Sequence, residues 1–400
     1  MLDRVLTESL PTSGVPSPGP VPQELRVETV TDLASFLAME ASWNVLVHEA
    51  GIPYPFFRHE WARTWWECFG GDRELRIILV KDGRDLIGLA PLMLSQGSIY
   101  GMRMRRLEFL ANIHTRVCGF VVSRRPQETH RALWTHLAQQ HDWDVLQLRD
   151  LPEESGALAQ LPGLAGADGC PSGRWPSHQC PYVPLVGGWD VYVRGLRPKH
   201  RANLRNRFKR LGRIGAVERE LVSPADQRAL DDALRIEAQG WKGRKGTAIR
   251  NQPEAERFYR RLAEEASARG WLRLHFLRVG GRRIAFQYDL EYGDRIYVLK
   301  LGYDPEFAPC SPQNLLCWLV LEDAFARGLG SYEFLGSREP WKMEWAREAR
   351  PLDWLFVFRN HARGRLLHRL KFRVMPWLRQ APLYGGLRAL VNGSIRLRRS

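Results

Sequence analysis

The segment LRLHFLRVGGRRIAFQYDLE, Leu272–Glu291, decides the fold of this chain. Two runs rich in strand-forming residues flank a Gly-Gly pair, and this pattern predicts two strands joined by a tight turn. The segment LRIILVKDGRDLIGLAPLML, Leu75–Leu94, follows the same plan. An offset of 197 residues aligns the leading Leu-Arg pairs, Gly83 with Gly280, and Ile87 with Ile284. The chain therefore contains an internal repeat.

The repeat extends beyond this hairpin on both sides. HEWARTWWECFG (59–70) and EAERFYRRLAEEASARG (254–270) precede the two copies and are typical of helices. RPQETHRALWTHLAQQ (125–140) and SPQNLLCWLVLEDAFARG (311–328) follow them, each before a further strand. The shared order of helix, hairpin, strand, helix and strand predicts two tandem copies of one mixed α/β (α+β) domain, each a central mixed sheet flanked by helices.

Composition suggests where these domains begin and end. We expect domain 1 at 25–162 and domain 2 at 183–358, joined by a Gly-, Pro- and Ser-rich linker at 163–182. Residues 1–24 are rich in proline and small polar residues, which is typical of a flexible segment. Residues 359–400 form a basic tail that holds eleven Lys and Arg residues and no Asp or Glu.

Charge and hydropathy exclude several classes of protein. The tail carries eleven of the net fifteen positive charges, so the remaining chain is nearly balanced and a general nucleic-acid binder is disfavoured. No apolar run approaches the roughly 20 residues of a membrane span, and the N-terminus lacks the apolar core of a signal peptide. We therefore expect a cytoplasmic protein. Cys170, His178 and Cys180 lack a fourth ligand, so no metal site is predicted.

Three segments of the second copy resemble a known enzyme superfamily. They are EAQGWKGRKGTAI (Glu237–Ile249), the stretch Gly270–Leu316 that ends in GYDPEFAPCSPQNLL, and YEFLGSREPWKMEW (Tyr332–Trp345). Together they resemble the Gcn5-related N-acyltransferases (GNAT), most closely the CelD/BcsL-type acetyltransferases associated with cellulose biosynthesis. The tandem arrangement is also similar to that of the Fem-type aminoacyltransferases. The resemblance implies an acyl-CoA-dependent N-acyltransferase that serves envelope or exopolysaccharide biosynthesis, with a small-molecule or glycan acceptor.

The resemblance also implies where the donor, acetyl-CoA or another acyl-CoA, would bind. In this fold the strand equivalent to Ile296–Leu301 separates from its neighbour, and the pantetheine arm pairs with the open edge. The diphosphate lies on the N-terminus of the next helix, where free N–H groups and the helix dipole favour anions. Ser311 is expected as the N-cap and Pro312 as the first helical residue. The implied donor-contacting residues are Leu299, Lys300, Leu301, Ser311, Gln313, Asn314 and Leu315.

Transfer of an acyl group from a thioester to an amine needs a base, an oxyanion donor and an acid for the thiolate. The candidate bases are Glu237, Glu333 and Asp304, of which Asp304 precedes a proline and is better suited to capping a turn. Tyr332 and Glu333 are neighbours in a strand and must face opposite sides. Tyr303 is the candidate acid, and a backbone N–H near Lys300–Leu301 is the candidate oxyanion donor.

Four further residues are candidate contacts to the acceptor. Trp241 and Lys242 belong to a run that recurs in the family. Gln287 ends an apolar strand, so its amide is either a core hydrogen-bonding group or a substrate contact. Lys342 is expected near a phosphate. Trp341 stands where the family commonly has Tyr, which leaves an acid role at that position in doubt.

Two basic segments leave alternatives open. RGLRPKHRANLRNRFKRLGR, Arg194–Arg213, predicts a helix with an apolar stripe at Leu196, Leu204, Phe208 and Leu211, and its cations suit CoA phosphates, a nucleotide-sugar, tRNA or anionic lipid. The tail mixes arginine with large apolar residues, as do helices that lie on anionic membranes. An aminoacyl-tRNA-dependent transferase and a non-catalytic membrane or polysaccharide scaffold therefore stand beside the acyl-CoA enzyme.

Overall fold

The computed structural model describes residues 24–224, 226–240, 243 and 245–380. The strands are β1 Arg26–Val30, β2 Glu74–Asp82, β3 Asp85–Ile99, β4 Met102–Phe109, β5 Val121–Val122, β6 Val145–Pro152, β7 Ser172–Pro184, β8 Val217–Val222, β9 Leu272–Val279, β10 Arg282–Tyr292, β11 Arg295–Tyr303, β12 Ser331–Glu333 and β13 Glu348–Phe358. The helices are α1 Leu33–Ala38, α2 Glu40–Glu49, α3 His59–Phe69, α4 Pro126–Gln139, α5 Gly156–Ala167, α6 Trp189–Gly195, α7 Pro198–Gly212, α8 Gln227–Gln239, α9 Pro253–Ala268, α10 Pro312–Ala326, α11 Ala362–Arg369 and α12 Met375–Gln380. Among these described helices, none is both long enough and apolar enough to cross a bilayer.

The described strands join in one mixed sheet. Its order is β1-β2-β3-β4-β6-β13-β7-β12-β11-β10-β9-β8, with β5 beside β3. Neighbouring strands are antiparallel except for two pairs, β4 with β6 and β11 with β12. One apolar cluster lies on a single face across both halves of the chain, and two others lie on the opposite face, one under each half. The predicted mixed α/β fold is confirmed.

The two halves repeat each other in backbone detail. Gly83 and Gly280, aligned in sequence, both adopt positive φ at the hairpin turn, at 61° and 53°. Ile87 and Ile284 are each skipped in the strand register, so both are the extra residue of a β-bulge. Each half also contains one parallel strand pair of three residues. The 197-residue offset therefore aligns the two hairpins residue by residue, including their bulges.

The helix that follows the third strand also starts in the same way in both halves. Arg125 and Ser311 adopt left-handed backbone conformations, with φ of 48° and 45°, and each precedes a proline at the first helical position. The helix start at Arg125 in the first half therefore matches the one at Ser311 in the second. The duplication is thus more regular than the side chains alone indicate.

The centre of the sheet joins the halves by an exchange of strands. β7, at the end of the first half, pairs with β12, and β13, at the end of the second, pairs with β6. β7 and β13 also pair with each other over most of their length. The irregular linker predicted at 163–182 is therefore wrong: these residues are the end of α5 and most of β7. Their composition predicts a loop, but hydrogen bonds from the distant β13 make them a strand.

The core that joins the halves lies between α3 and α9. The Trp61 and Phe258 rings meet edge to face at 5.4 Å, and Phe56 meets Tyr297 of β11 at 5.9 Å. The Tyr297 hydroxyl donates to the carbonyl of Pro53 at 2.6 Å. Burial of this apolar area, together with the shared sheet, holds the first half against β11.

Both basic segments pack on the sheet by an apolar side. The predicted helix at Arg194–Arg213 is α7, with Leu204 and Leu211 buried. The tail begins with α11, in which Leu367 is buried, followed by a π-helical turn and α12. The predicted flexible segment falls on residues 1–23 outside the described residues, as do 381–400 of the tail.

Candidate functional site

An open strand edge lies at the C-terminal end of β11. Pairing between β11 and β12 stops at Tyr297, so Val298–Tyr303 have no strand partner on that side among the residues that the structure describes. The register against β10 passes from Tyr288 with Lys300 to Asp289 with Val298, which makes Leu299 the extra residue of a bulge. The strand separation that the resemblance implies is therefore present and starts after Tyr297.

The bulge sets the direction of the groups along this edge. Leu299 packs with the core between the halves, and Lys300 Nζ lies 5.1 Å from the centre of the Tyr259 ring on the same side. The N–H of Asp304 donates to the carbonyl of Ile284 at 2.7 Å, toward β10. Because peptide groups alternate along a strand, we infer that the N–H groups of Leu301 and Tyr303 face the open side.

Glu237 lies next to this strand on α8. Its Oε2 accepts a hydrogen bond from the backbone N–H of Ile249 at 2.8 Å, and its side chain is buried. Gly302 permits this approach, because a Cβ there would lie 3.2 Å from the Glu237 Cα. Glu237 is therefore not a solvated carboxylate on the surface of the helix. Glu237 instead anchors the segment between α8 and α9, in which Trp241 and Lys242 lie outside the described residues.

The other two candidate bases are already engaged. Glu333 is buried; Ser331 Oγ donates to its Oε1 at 2.8 Å, and Arg350 lies 3.3 Å away. The Tyr332 hydroxyl donates to Gln287 on the opposite face, as the strand alternation predicted. Asp304 accepts from the N–H of Glu306 at 3.0 Å, so it caps a turn as expected.

Tyr303 is the candidate catalytic residue with the greatest access to solvent. It ends β11 and its side chain is 37% exposed. The structure thus places an acidic hydroxyl at the end of the open edge, as a proton donor to a leaving thiolate would require.

The start of α10 offers fewer anion donors than expected. Ser311 is the N-cap and Pro312 is the first helical residue, but the Ser311 side chain makes no capping bond. The N–H groups of Asn314 and Leu315 both donate to the Ser311 carbonyl, at 3.0 and 3.4 Å. Proline has no N–H. Within the described residues, the backbone N–H of Gln313 is therefore the one donor in this first turn that makes no hydrogen bond.

The side chains of this turn point into the protein. Leu315 is fully buried, and Asn314 Oδ1 accepts from the indole N–H of Trp345 at 3.0 Å. In the orientation that satisfies both ends of its amide, Gln313 donates to the carbonyl of Gly302 and accepts from Gln287. The side chains of Gln313 and Leu315 thus belong to the core, and the donor contacts expected at these two residues stay a prediction.

The side chains of Gln287 and Lys342 both make hydrogen bonds inside the protein. Gln287 bridges Tyr332 and Gln313 inside the core, which decides between the two expected roles in favour of core hydrogen bonding. Lys342 Nζ donates to the Leu335 carbonyl at 2.9 Å, and burial lowers its pKa. The expected contact from Lys342 to a phosphate is replaced by a bond that closes its own loop.

The first half contributes His114, which the sequence analysis did not identify. Its Nδ1 lies 3.1 Å from the Tyr259 hydroxyl, and its ring stacks on Phe69 at 5.5 Å. Burial, with the added positive charges of Lys300 and Arg116, lowers the pKa of His114 to about 3, so the imidazole is neutral. The sequence around His114, which also contains Asn112, Thr115 and Arg116, gives no signal that this residue reaches the second half.

A cleft of about 800 Å³ opens between the halves beside His114. It is lined by the end of α3 and the end of β4 from the first half, and by the start of α9 from the second. Phe69 is common to the cleft and to the His114 stack, so the cleft lies next to His114. Its lining carries both carboxylates, such as Glu254, and guanidinium groups, such as Arg257. Within the described residues, no group of three or more His, Cys, Asp or Glu side chains could hold a metal ion.

Comparisons with known proteins agree with this geometry. A family profile described as an acetyltransferase (GNAT) domain matches residues 198–343, from α7 to the loop after β12. The crystal structure of FemX superposes with a TM-score of 0.57 at 15% identity, covering 86% of this chain and 100% of that one. No curated protein sequence matches the chain.

Two other solved structures have the same arrangement. L-PGS from Bacillus licheniformis gives a TM-score of 0.51 at 14% identity, covering 82% of this chain and 95% of that one. The C-terminal domain (DUF2156) of a putative lysylphosphatidylglycerol synthetase from Agrobacterium fabrum gives 0.50 at 13%, covering 85% and 97%. At these identities the likeness shows the fold. The profile match adds the chemistry: residues 198–343 match an acetyltransferase (GNAT) domain, and the chain is an acyltransferase.

Proposed function

We propose that the chain transfers an acyl group from acyl-CoA to an amine, with the thioester lying along the open edge of β11. The observation that carries this proposal is the end of pairing at Tyr297 followed by the bulge at Leu299. An unpaired strand edge can hydrogen-bond the amides of a pantetheine arm as it would a peptide. The bulge turns a backbone N–H toward the same edge.

The reaction needs few side chains. The acceptor nitrogen attacks the thioester carbonyl, the new C–N bond forms, and the C–S bond breaks. The N–H of Leu301 faces the position where the oxyanion would develop. Tyr303 returns a proton to the departing thiolate, and the proton of the amine passes to solvent or to a carboxylate near the edge. No covalent enzyme intermediate is required.

The acceptor would enter through the cleft between the halves. Carboxylates on its wall suit an ammonium group, and arginines suit a carboxylate or phosphate of the same molecule. An amino sugar or an amino-acid-bearing glycan precursor combines these groups. The resemblance to CelD/BcsL-type enzymes supports envelope or exopolysaccharide biosynthesis as the setting.

The test is calorimetry of the full chain with acetyl-CoA. Saturating donor should stabilise the native state by about 2.7 kcal/mol at 100 times the dissociation constant. A matched pair of variants, Ser311→Asp and Ser311→Asn, differs only in charge, and both residues tolerate the left-handed backbone at this position. We expect the aspartate to weaken binding at least tenfold and the asparagine to leave it unchanged. Absence of binding by the wild-type chain would refute the proposal.

A second candidate is transfer from an aminoacyl-tRNA, and the surface of α7 favours it. The stretch Arg194–Arg213 has nine Lys and Arg residues, and none pairs with a carboxylate in the described part of the chain. A surface of this kind attracts RNA through release of counterions. Binding of aminoacylated tRNA that weakens steeply with salt, without any response to acetyl-CoA, would favour this candidate over the first.

A further inference from the structure

A second cavity lies on the opposite face of the sheet from the cleft. Its volume is about 390 Å³, and it opens where α6 ends and α7 begins, against the loop that follows β12. A cavity of this size is within the range that small ligands occupy. Three arginines line it, namely Arg197, Arg338 and Arg347.

These arginines are incompletely neutralised. The side chain of Arg197 is exposed and has no ion pair or hydrogen bond to any residue that the structure describes. Arg338 donates to Gln179 Oε1 at 2.9 Å, and Arg347 donates to the carbonyl of Gly195, so neither meets a carboxylate. The single carboxylate in the wall, Glu344, lies 3.1 Å from His200 Nδ1. The cavity therefore carries an excess of positive charge.

The wall of the cavity connects it with the start of α10. Trp345 lines the cavity, and its indole N–H donates to Asn314 in the first turn of that helix. The His200 ring meets Trp345 edge to face at 4.7 Å and holds it in place. Trp345 therefore lies between the cavity and the first turn of α10, in which the backbone N–H of Gln313 has no hydrogen-bond partner among the described residues.

We propose that this cavity binds the phosphate groups of the nucleotide end of the acyl donor, with CoA as that donor. This inference rests on the function proposed above. The start of α10 supplies a single amide, which is too little for a diphosphate, and the arginines supply the missing donors. Guanidinium groups are suited to phosphate because they donate two parallel hydrogen bonds and keep their charge.

The test compares three ligands on the full chain by calorimetry: CoA, dephospho-CoA and pantetheine. The variant is Arg197→Gln combined with Arg338→Gln, both at exposed side chains that leave the core intact. The control is Arg205→Gln combined with Arg213→Gln, which removes the same charge from exposed positions of the α7 region outside the cavity. We expect the cavity variant to weaken CoA at least tenfold, dephospho-CoA less, and pantetheine not at all, with the control unchanged.

Each other outcome has a distinct meaning. Equal CoA affinity in the wild-type chain and the cavity variant would overturn the inference while leaving the proposed function intact. Equal losses in the cavity and control variants would also overturn it, since they would show a general effect of net charge. Failure of the wild-type chain to bind CoA would refute the proposed function. Binding of a short RNA ending in CCA that the cavity variant alone loses would reassign the cavity to an RNA donor.

Discussion

Replacing Asp289 with leucine should stabilise the protein. Asp289 is fully buried on β10, and neither of its carboxyl oxygens has a hydrogen-bond partner among the described residues. Its nearest ionisable neighbour, His275, has its Nε2 at 3.9 Å and is also without a bond at that atom. The internal repeat suggests which residues to introduce: Leu92 stands at the position equivalent to Asp289, and Ile78 at the position equivalent to His275. The same backbone is therefore known to accept an apolar pair.

The magnitude follows from two costs. A buried polar group without a partner costs about 1–3 kcal/mol. In addition, burial raises the pKa of Asp289 well above its usual value, so the folded state keeps a proton that the unfolded chain releases. This second cost is absent when the pH is below the pKa that Asp289 has in the unfolded chain. Above that pKa the cost grows by about 1.4 kcal/mol per pH unit, until the pH reaches the pKa of Asp289 in the folded state. We expect Asp289→Leu to stabilise the protein by at least the first cost, about 1–3 kcal/mol, with a larger gain at pH 7 than at pH 4 because of the second cost.

The assay is urea unfolding followed by tryptophan fluorescence from pH 4 to pH 8. His275→Ile should show the opposite trend with pH. Burial lowers the pKa of His275 to about 3, so the stability of the wild-type protein falls as the pH drops below about 6.5. The stability gained by His275→Ile is therefore larger in acid. The control is Gln287→Ala, which copies Ala90 but breaks satisfied bonds and should lose about 1–3 kcal/mol. If Asp289→Leu destabilised the protein as Gln287→Ala does, the carboxyl would have a partner or a function that the reasoning omits.

Gly302→Val should lower the free energy of unfolding by about 1–3 kcal/mol and weaken acetyl-CoA binding, because the valine side chain would push α8 away from β11 at Glu237. Thermal melting and calorimetry of the variant and the wild-type chain would check this. The pKa of His114, lowered to about 3, predicts loss of stability at up to about 1.4 kcal/mol per pH unit as pH falls below about 6.5, and His114→Asn should flatten that slope in acid unfolding curves. We propose that the tail meets anionic membranes through Leu366 and Trp377, which are 49% and 67% exposed. Replacing both with serine should reduce sedimentation with phosphatidylglycerol vesicles several-fold, and unchanged sedimentation would contradict the proposal.

The local pattern of this chain was enough to predict the repeated units. Runs of strand-forming residues on both sides of Gly83 and Gly280 specify hairpins, because strand propensity and a positive φ are properties of a few neighbouring residues. A proline after Ser311 specified a helix start for the same reason. The sequence alignment pairs Ile87 with Ile284. Only the strand register shows that each of them is the extra residue of a bulge.

Long-range contacts decided the rest. Whether 163–182 is a loop or a strand depends on β13, which lies far away in sequence and supplies its hydrogen bonds. Whether Glu237, Glu333 or Lys342 is exposed or engaged depends on partners that only the folded chain brings near. His114 reaches β11 from the other half for the same reason. Periodicity and turn chemistry act over a few residues, so they determine elements; burial, pairing and charge act between elements, so the site belongs to the tertiary structure.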